Sequence, residues 1–212
     1  MARRFRLRGV GLLVAVAIAA AACASSGSHY VANRDEQLYV KVPKGWAVLQ
    51  GNPTTTTSPG AAAAPKLPWT VVLDADRSPS REHLGVLTPA APIGLLYISA
   101  LTDSERDVYS LAGLRALPLG ADPLADDFED SRVQVLGYDA DFAVNGYHGN
   151  RIRIALTNDD GSTTVLDQVA LLDAARTRLY IVRFHCEQSC FRDRLNEITS
   201  IVDSLQIRKE QK

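Results

Sequence analysis

Apolar and polar positions alternate with a period of two along much of the chain, and these stretches predict strands. Leu38, Val40 and Val42 alternate with Tyr39 and Lys41, a half-buried strand that Pro43, Lys44 and Gly45 end before Trp46 and a second short apolar stretch. Residues 69–73 (WTVVL) and 93–100 (IGLLYISA) read as core strands, and the proline-broken residues between them as a surface excursion. Leu136, Tyr138, Ala140, Phe142 and Val144 share one face of a long strand, and Asn145-Gly146 signals a type I′ turn. Ile152, Ile154 and Leu156 continue on the return strand, with Arg151 and Arg153 on its other face. After the turn Asn158-Asp159-Asp160-Gly161, strands over 163–172 and 179–184 (LYIVRF) complete an antiparallel meander.

The period lengthens in two places. Asp103 or Ser104 caps a helix running to about Leu117, with Val108, Leu111, Leu114 and Arg115 at helical intervals, and Pro118 stops it. A final helix follows Cys190, and its stripe of Phe191, Leu195, Ile198, Val202 and Leu205 must bury itself against the sheet. These elements predict one layered α+β domain over residues 30–208, followed by a polar tail over 209–212.

The N-terminal pattern is different. Arg3, Arg4, Arg6 and Arg8 precede the apolar run 10–22 (VGLLVAVAIAAAA), too short for a spanning helix of ~20 apolar residues and built like a secretory signal. Arg3-Arg4 before Phe5 is also similar to a twin-arginine signal. Ala20-Ala21-Ala22-Cys23 resembles the lipobox of bacterial lipoproteins, although alanine stands at the usual leucine position. The resemblance implies removal of residues 1–22 and lipid on Cys23, a diacylglyceryl thioether, so that acyl chains such as palmitate hold the protein at the extracytoplasmic side of the cell membrane. An ordinary A-x-A cleavage with Cys23 incidental is the alternative. Residues 23–29 would form the lipidated tether, small and polar.

The 212 residues carry a formal net charge of −1, with 46% hydrophobic and 22% charged residues, which fits one globular domain and lacks the electrostatic footprint of a nucleic-acid binder. In an oxidising compartment Cys186 and Cys190 are expected to form a disulfide. Four residues of extended strand would span ~13 Å, beyond the ~7 Å limit between bridged Cα atoms, so the chain must turn or become helical between them. Metal binding with His185 is the alternative, and it lacks a second ligand pair.

Two segments stand apart by composition. Residues 52–65 (NPTTTTSPGAAAAP) predict an exposed loop in which Thr54, Thr55, Thr56 and Thr57 are candidates for glycosylation. Residues 122–130 (DPLADDFED) predict a solvated acidic loop; calcium is the alternative, but the EF-hand spacing is missing.

Catalytic residues are not identifiable. There is no G-x-S-x-G elbow, no H-E-x-x-H pair and no glycine-rich phosphate loop, and His29, His83, His148 and His185 are widely spaced. Asp139 and Asp141 share a predicted strand face, as residues of a polar face do.

Three stretches resemble the Mog1/PsbP-like superfamily, including actinobacterial envelope lipoproteins of the LpqN type. They are residues 38–46 (LYVKVPKGW), 144–156 (VNGYHGNRIRIAL) and the end from Tyr180 through the last helix (YIVRF and FRDRLNEITSIVDSLQI). The resemblance implies a twisted antiparallel β-sheet covered by helices, an α/β/α sandwich, with a binding or assembly role. The expectation is therefore a noncatalytic, membrane-anchored envelope lipoprotein with a protein partner, without cofactor or metal. A carrier of a lipid or small apolar molecule in a helix–sheet cavity is the second reading, and an enzyme whose site converges from distant residues is the third.

Overall fold

The computed structural model describes residues 27–51, 68–111 and 113–208. The expected signal segment 1–22, Cys23, residues 24–26 of the tether, the threonine-rich loop and the tail 209–212 lie outside these residues.

Each predicted strand forms. A sheet in the order β3-β4-β5-β9-β8-β7-β6 is assembled from β3 (Ala47–Gly51), β4 (Trp69–Asp74), β5 (Ile93–Ala100), β6 (Val133–Val144), β7 (Tyr147–Thr157), β8 (Thr163–Leu172) and β9 (Arg178–Glu187). All neighbours in it are antiparallel. The β6–β7 hairpin closes through Asn145 and Gly146 at φ 51° and 89°, the left-handed pair a type I′ turn requires.

A second, small sheet was not foreseen. β1 (Ser28–Asn33) pairs with β2 (Leu38–Pro43), which also pairs with β10 (Gln206–Ile207). The tether boundary of 29 is accordingly too late: Ser28 and His29 are strand residues, and Lys44 N–H donates to the Gly27 carbonyl at 2.8 Å.

One face of the large sheet carries the main core. The helix α2 (Gln188–Asp203) buries Phe191, Ile198, Ile201 and Val202 against Val169, Leu171, Val182 and Phe184, while Leu38, Val40, Val42 and Ile207 of the small sheet join the same cluster. Fully burying such a side chain contributes ~1.5–3 kcal/mol. Phe184 lies so close over Gly94 that a Cβ there would stand 2.5 Å from its Cε1. Trp46 meets Phe184 edge-on at 5.8 Å and donates its indole N–H to Glu197.

The strand-to-helix corner is where the cysteines fall. Cys186 is the penultimate residue of β9 and Cys190 lies in the first turn of α2, joined as a disulfide with Cα atoms 6.1 Å apart. The helix starts at Gln188, before rather than after Cys190, and this early start supplies the turn the bridge needs.

The opposite face is covered by shorter pieces. A 3-10 turn at Arg81–Gly85 packs on β4 and β5, and another at Gly113–Ala116 packs on β7 and β8, where Leu114 is fully buried with Leu101, Leu172 and Leu179.

Two expectations are corrected by local structure. The first helix, α1, spans only Asp103–Val108, and its N-cap is Thr102, which shares a capping box with Glu105. It ends because Ser110 Oγ takes the Gly113 N–H and only Leu114 reaches the core, leaving Val108 and Leu111 exposed. β6 carries two bulges, between Val135 and Gly137 and between Asp139 and Phe142. Each shifts the alternation, so Tyr138 pairs with Ile152 on the face away from α2, Phe142 and Val144 pair with Gly149 and Tyr147 on the α2 face, and Leu136 and Ala140 are exposed.

Candidate functional site

Strands β7 and β9 present arginines on opposite faces of the sheet, each with partners on β8 between them, in two different settings. Paired residues of an antiparallel ladder point to the same face, so the register assigns each side chain.

On the α2 face, Arg153 pairs in register with Asp167, and Arg151 stands two residues along. Asp167 is fully buried. Its Oδ1 accepts from Arg151 Nε at 2.9 Å, and its Oδ2 accepts from Arg151 Nη2 and Arg153 Nη2, both at 2.7 Å. Burial is the largest influence on Arg151 and pulls it down, but the hydrogen bond to Asp167 and the charges of Asp167, Asp203 and Asp139 leave it raised above its ordinary value. Arg153 also lies 5.4 Å over the Phe191 ring. These residues floor an open cleft of about 270 Å³ lined by Gly137, Tyr138, Asp139 and Phe142. A second hollow of about 430 Å³ continues past Phe142 between the β6–β7 turn and Asp203. Together they form a groove between α2 and the edge strand β6.

On the other face, the register sets Leu95, Arg183, Gln168, Ile152 and Tyr138 in one row across five strands. Arg183 Nε and Nη2 both donate to Gln168 Oε1, at 3.0 and 2.6 Å. Gln168 is fully buried and donates from Nε2 to the Leu114 carbonyl. No carboxylate pairs with Arg183 among the described residues, and burial alone pulls its guanidinium below the ordinary value. Nη1 has no hydrogen-bond partner there and is not sealed from solvent.

Next along β9, His185 donates its Nε2–H to the Val86 carbonyl at 3.0 Å. Burial lowers its pKa, the Val86 bond opposes this, and the Arg183 charge adds to the lowering. The covering loops leave a strip between them where Leu95, Tyr97, Leu166 and Arg183 are only half-buried. Val86 and Leu87 border one end and Leu111 the other, all exposed, Leu87 by 70%.

The residues singled out from sequence scatter. Asp139 and Asp141 are exposed at the second bulge, where Asp139 accepts the Asp141 N–H. His83 binds buried Asp74 at 2.8 Å, closing a turn whose N–H groups at Asp76 and Ser80 the same carboxylate accepts. His148 is exposed beside the hairpin turn and His29 lies in β1. In the acidic segment, Asp122 is taken by Arg115 and Asp130 by Arg132, and each carboxyl is held below its usual range by that hydrogen bond. Among the described residues, no three His, Cys, Asp or Glu side chains group as metal ligands.

The architecture is the Mog1/PsbP-like α+β fold. The cyanobacterial PsbP of Synechocystis superimposes with a TM-score of 0.50 at 10% identity, covering 96% of this chain and 98% of that one. The Ran-binding protein Mog1p of Saccharomyces cerevisiae gives 0.45 at 9% identity, over 86% and 96% of the two chains. A Pseudomonas aeruginosa protein of unknown function gives 0.44 at 11%, over 86% and 98%. No protein-family model matches the chain, and no curated protein sequence matches it.

Proposed function

We propose that the protein is a noncatalytic envelope lipoprotein of the LpqN type, anchored by lipid on Cys23 at the extracytoplasmic side of the cell membrane, and that its domain binds a protein. The observation that carries the binding role is the strip of sheet between the two covering loops. There Leu87 and Leu111 stand exposed at the two ends of a strip that holds half-buried Leu95, Tyr97 and Leu166, an apolar surface. The α2 interface, by contrast, is filled: Phe191, Ile198, Ile201 and Val202 and their strand partners are all within 3% of full burial. Such packing favours a protein partner over an apolar ligand held between helix and sheet. The anchoring half rests on the basic and apolar N-terminal run that ends at Cys23.

Chemical crosslinking of intact envelopes, followed by purification of the full-length protein, is expected to recover a stable protein partner. Mass spectrometry of the mature N-terminus is expected to find diacylated Cys23. A lipid bound tightly to the domain with no protein partner would overturn the binding role, and an unmodified soluble chain would overturn the anchor.

A further inference from the structure

We infer that the partner docks on this open strip through an apolar segment bearing an aspartate or glutamate, whose carboxylate binds the free edge of Arg183; this rests on the protein-binding reading above.

Arg183 is in an unusual position. A guanidinium does not shed its proton, so its charge must be solvated wherever it is placed. Two of its donors converge on a single neutral amide oxygen, that of Gln168, and Nη1 remains reachable from outside. The flanking side chains on β9's own face are Ile181 and His185, neither of which brings negative charge. Across the ladder stand Leu95 and Gln168, and from the loops come Leu114 and Val86 carbonyls that are already bonded. The site is thus a half-buried cation with one open edge and apolar walls.

The residues outside the described set do not fill the gap. Residues 1–26 and 52–67 contain no aspartate or glutamate. Within residues 209–212 the acidic side chain is Glu210, and Arg208 stacks on Tyr39 in the small sheet, on the far side of the large one. Two residues of chain span at most ~7 Å. In this docking the complementary charge comes from another molecule. Arg pairs bidentately with a carboxylate, and the apolar border selects for apolar neighbours around that acid. Truncating one partner of a desolvated charge pair acts mainly on dissociation.

The test uses the full-length protein in its native envelope, with a photo-crosslinking amino acid at Leu87 or Leu111 and, as a control, at Asp139 in the α2–β6 groove. Adducts are sequenced in the unaltered background and with Arg183→Gln, whose amide still donates to Gln168, or Arg183→Lys, which keeps the charge. The expected result is adducts at Leu87 and Leu111 to a partner segment containing Asp or Glu among apolar residues. Their yield falls at least about tenfold with Arg183→Gln and less with Arg183→Lys, while the melting temperature holds. Adducts insensitive to Arg183→Gln, or to segments without an acid, to residues 52–67 or to lipid, overturn the inference. Protein adducts from Asp139 alone overturn it but leave the protein-binding reading standing. No protein adduct from any of the three positions sinks both.

Discussion

The same three strands hold charge in opposite ways on their two faces. On the α2 face, Arg151 and Arg153 converge on buried Asp167, which accepts from both guanidinium groups. On the other face, Arg183 has only the neutral Gln168. The first arrangement is closed: removing one member strands the others, and its geometry serves the fold. The second is open: the fold tolerates the charge without neutralising it. A buried ion with no counter-ion adds nothing to stability that an apolar or amide side chain would not match. The contrast separates an arginine the domain needs from one whose use lies outside it.

The largest effect should come from opening the closed arrangement. Asp167→Asn leaves two half-buried guanidinium groups without a carboxylate and is expected to destabilise by about 3–5 kcal/mol, read as a lowered urea midpoint with an unchanged slope. Arg183→Gln should move stability by no more than about 1 kcal/mol in the same assay, because it removes an unneutralised charge and keeps a donor to Gln168. A loss as large as that of Asp167→Asn would erase the distinction. Leu87→Ser, at a side chain 70% exposed, should change stability by less than about 0.5 kcal/mol while weakening partner capture.

The finest test is His185, which feels Arg183 directly. Its folded pKa lies below 6.5, so the unfolded chain binds the proton more readily. The neutral folded form therefore contributes stability above about pH 6.5 that is lost as pH falls through that value towards the folded pKa. Arg183→Gln removes one of the two lowering influences, and the imidazole titration followed by NMR should move up. An unmoved titration would mean that the Arg183 charge does not reach the ring.

Strand content was legible because alternation at Leu38, Val40 and Val42, or at Ile152 and Ile154, is a local signal of a half-buried sheet. The bulges in β6 were not, since Leu136 and Ala140 fit an unbroken alternation as well as a broken one. β1 and β10 were missed because one is largely polar and the other two residues long, and both exist only by pairing with β2. The helical spacing of Val108, Leu111 and Leu114 misled for a related reason: Ser110 and Gly113 offered a tighter turn that buries Leu114 alone.

Arg151 and Arg153 could be assigned to one face from sequence, but not to Asp167, which lies a full hairpin away and looks like any other polar residue of a strand. Arg183 left a trace in the run LYIVRF, a charge inside an otherwise apolar strand. What gives that trace meaning is the lack of an acid across the ladder, and only the register reveals it.

The position of β1 has a mechanical consequence. It is the outer strand of the small sheet and pairs with β2 alone, starting at Ser28. Any tension arriving through the residues before Gly27 is therefore borne first by that six-residue ladder and the α2 layer behind it. The strip that carries Arg183 lies on the far side of the seven-stranded sheet, two layers from that first ladder.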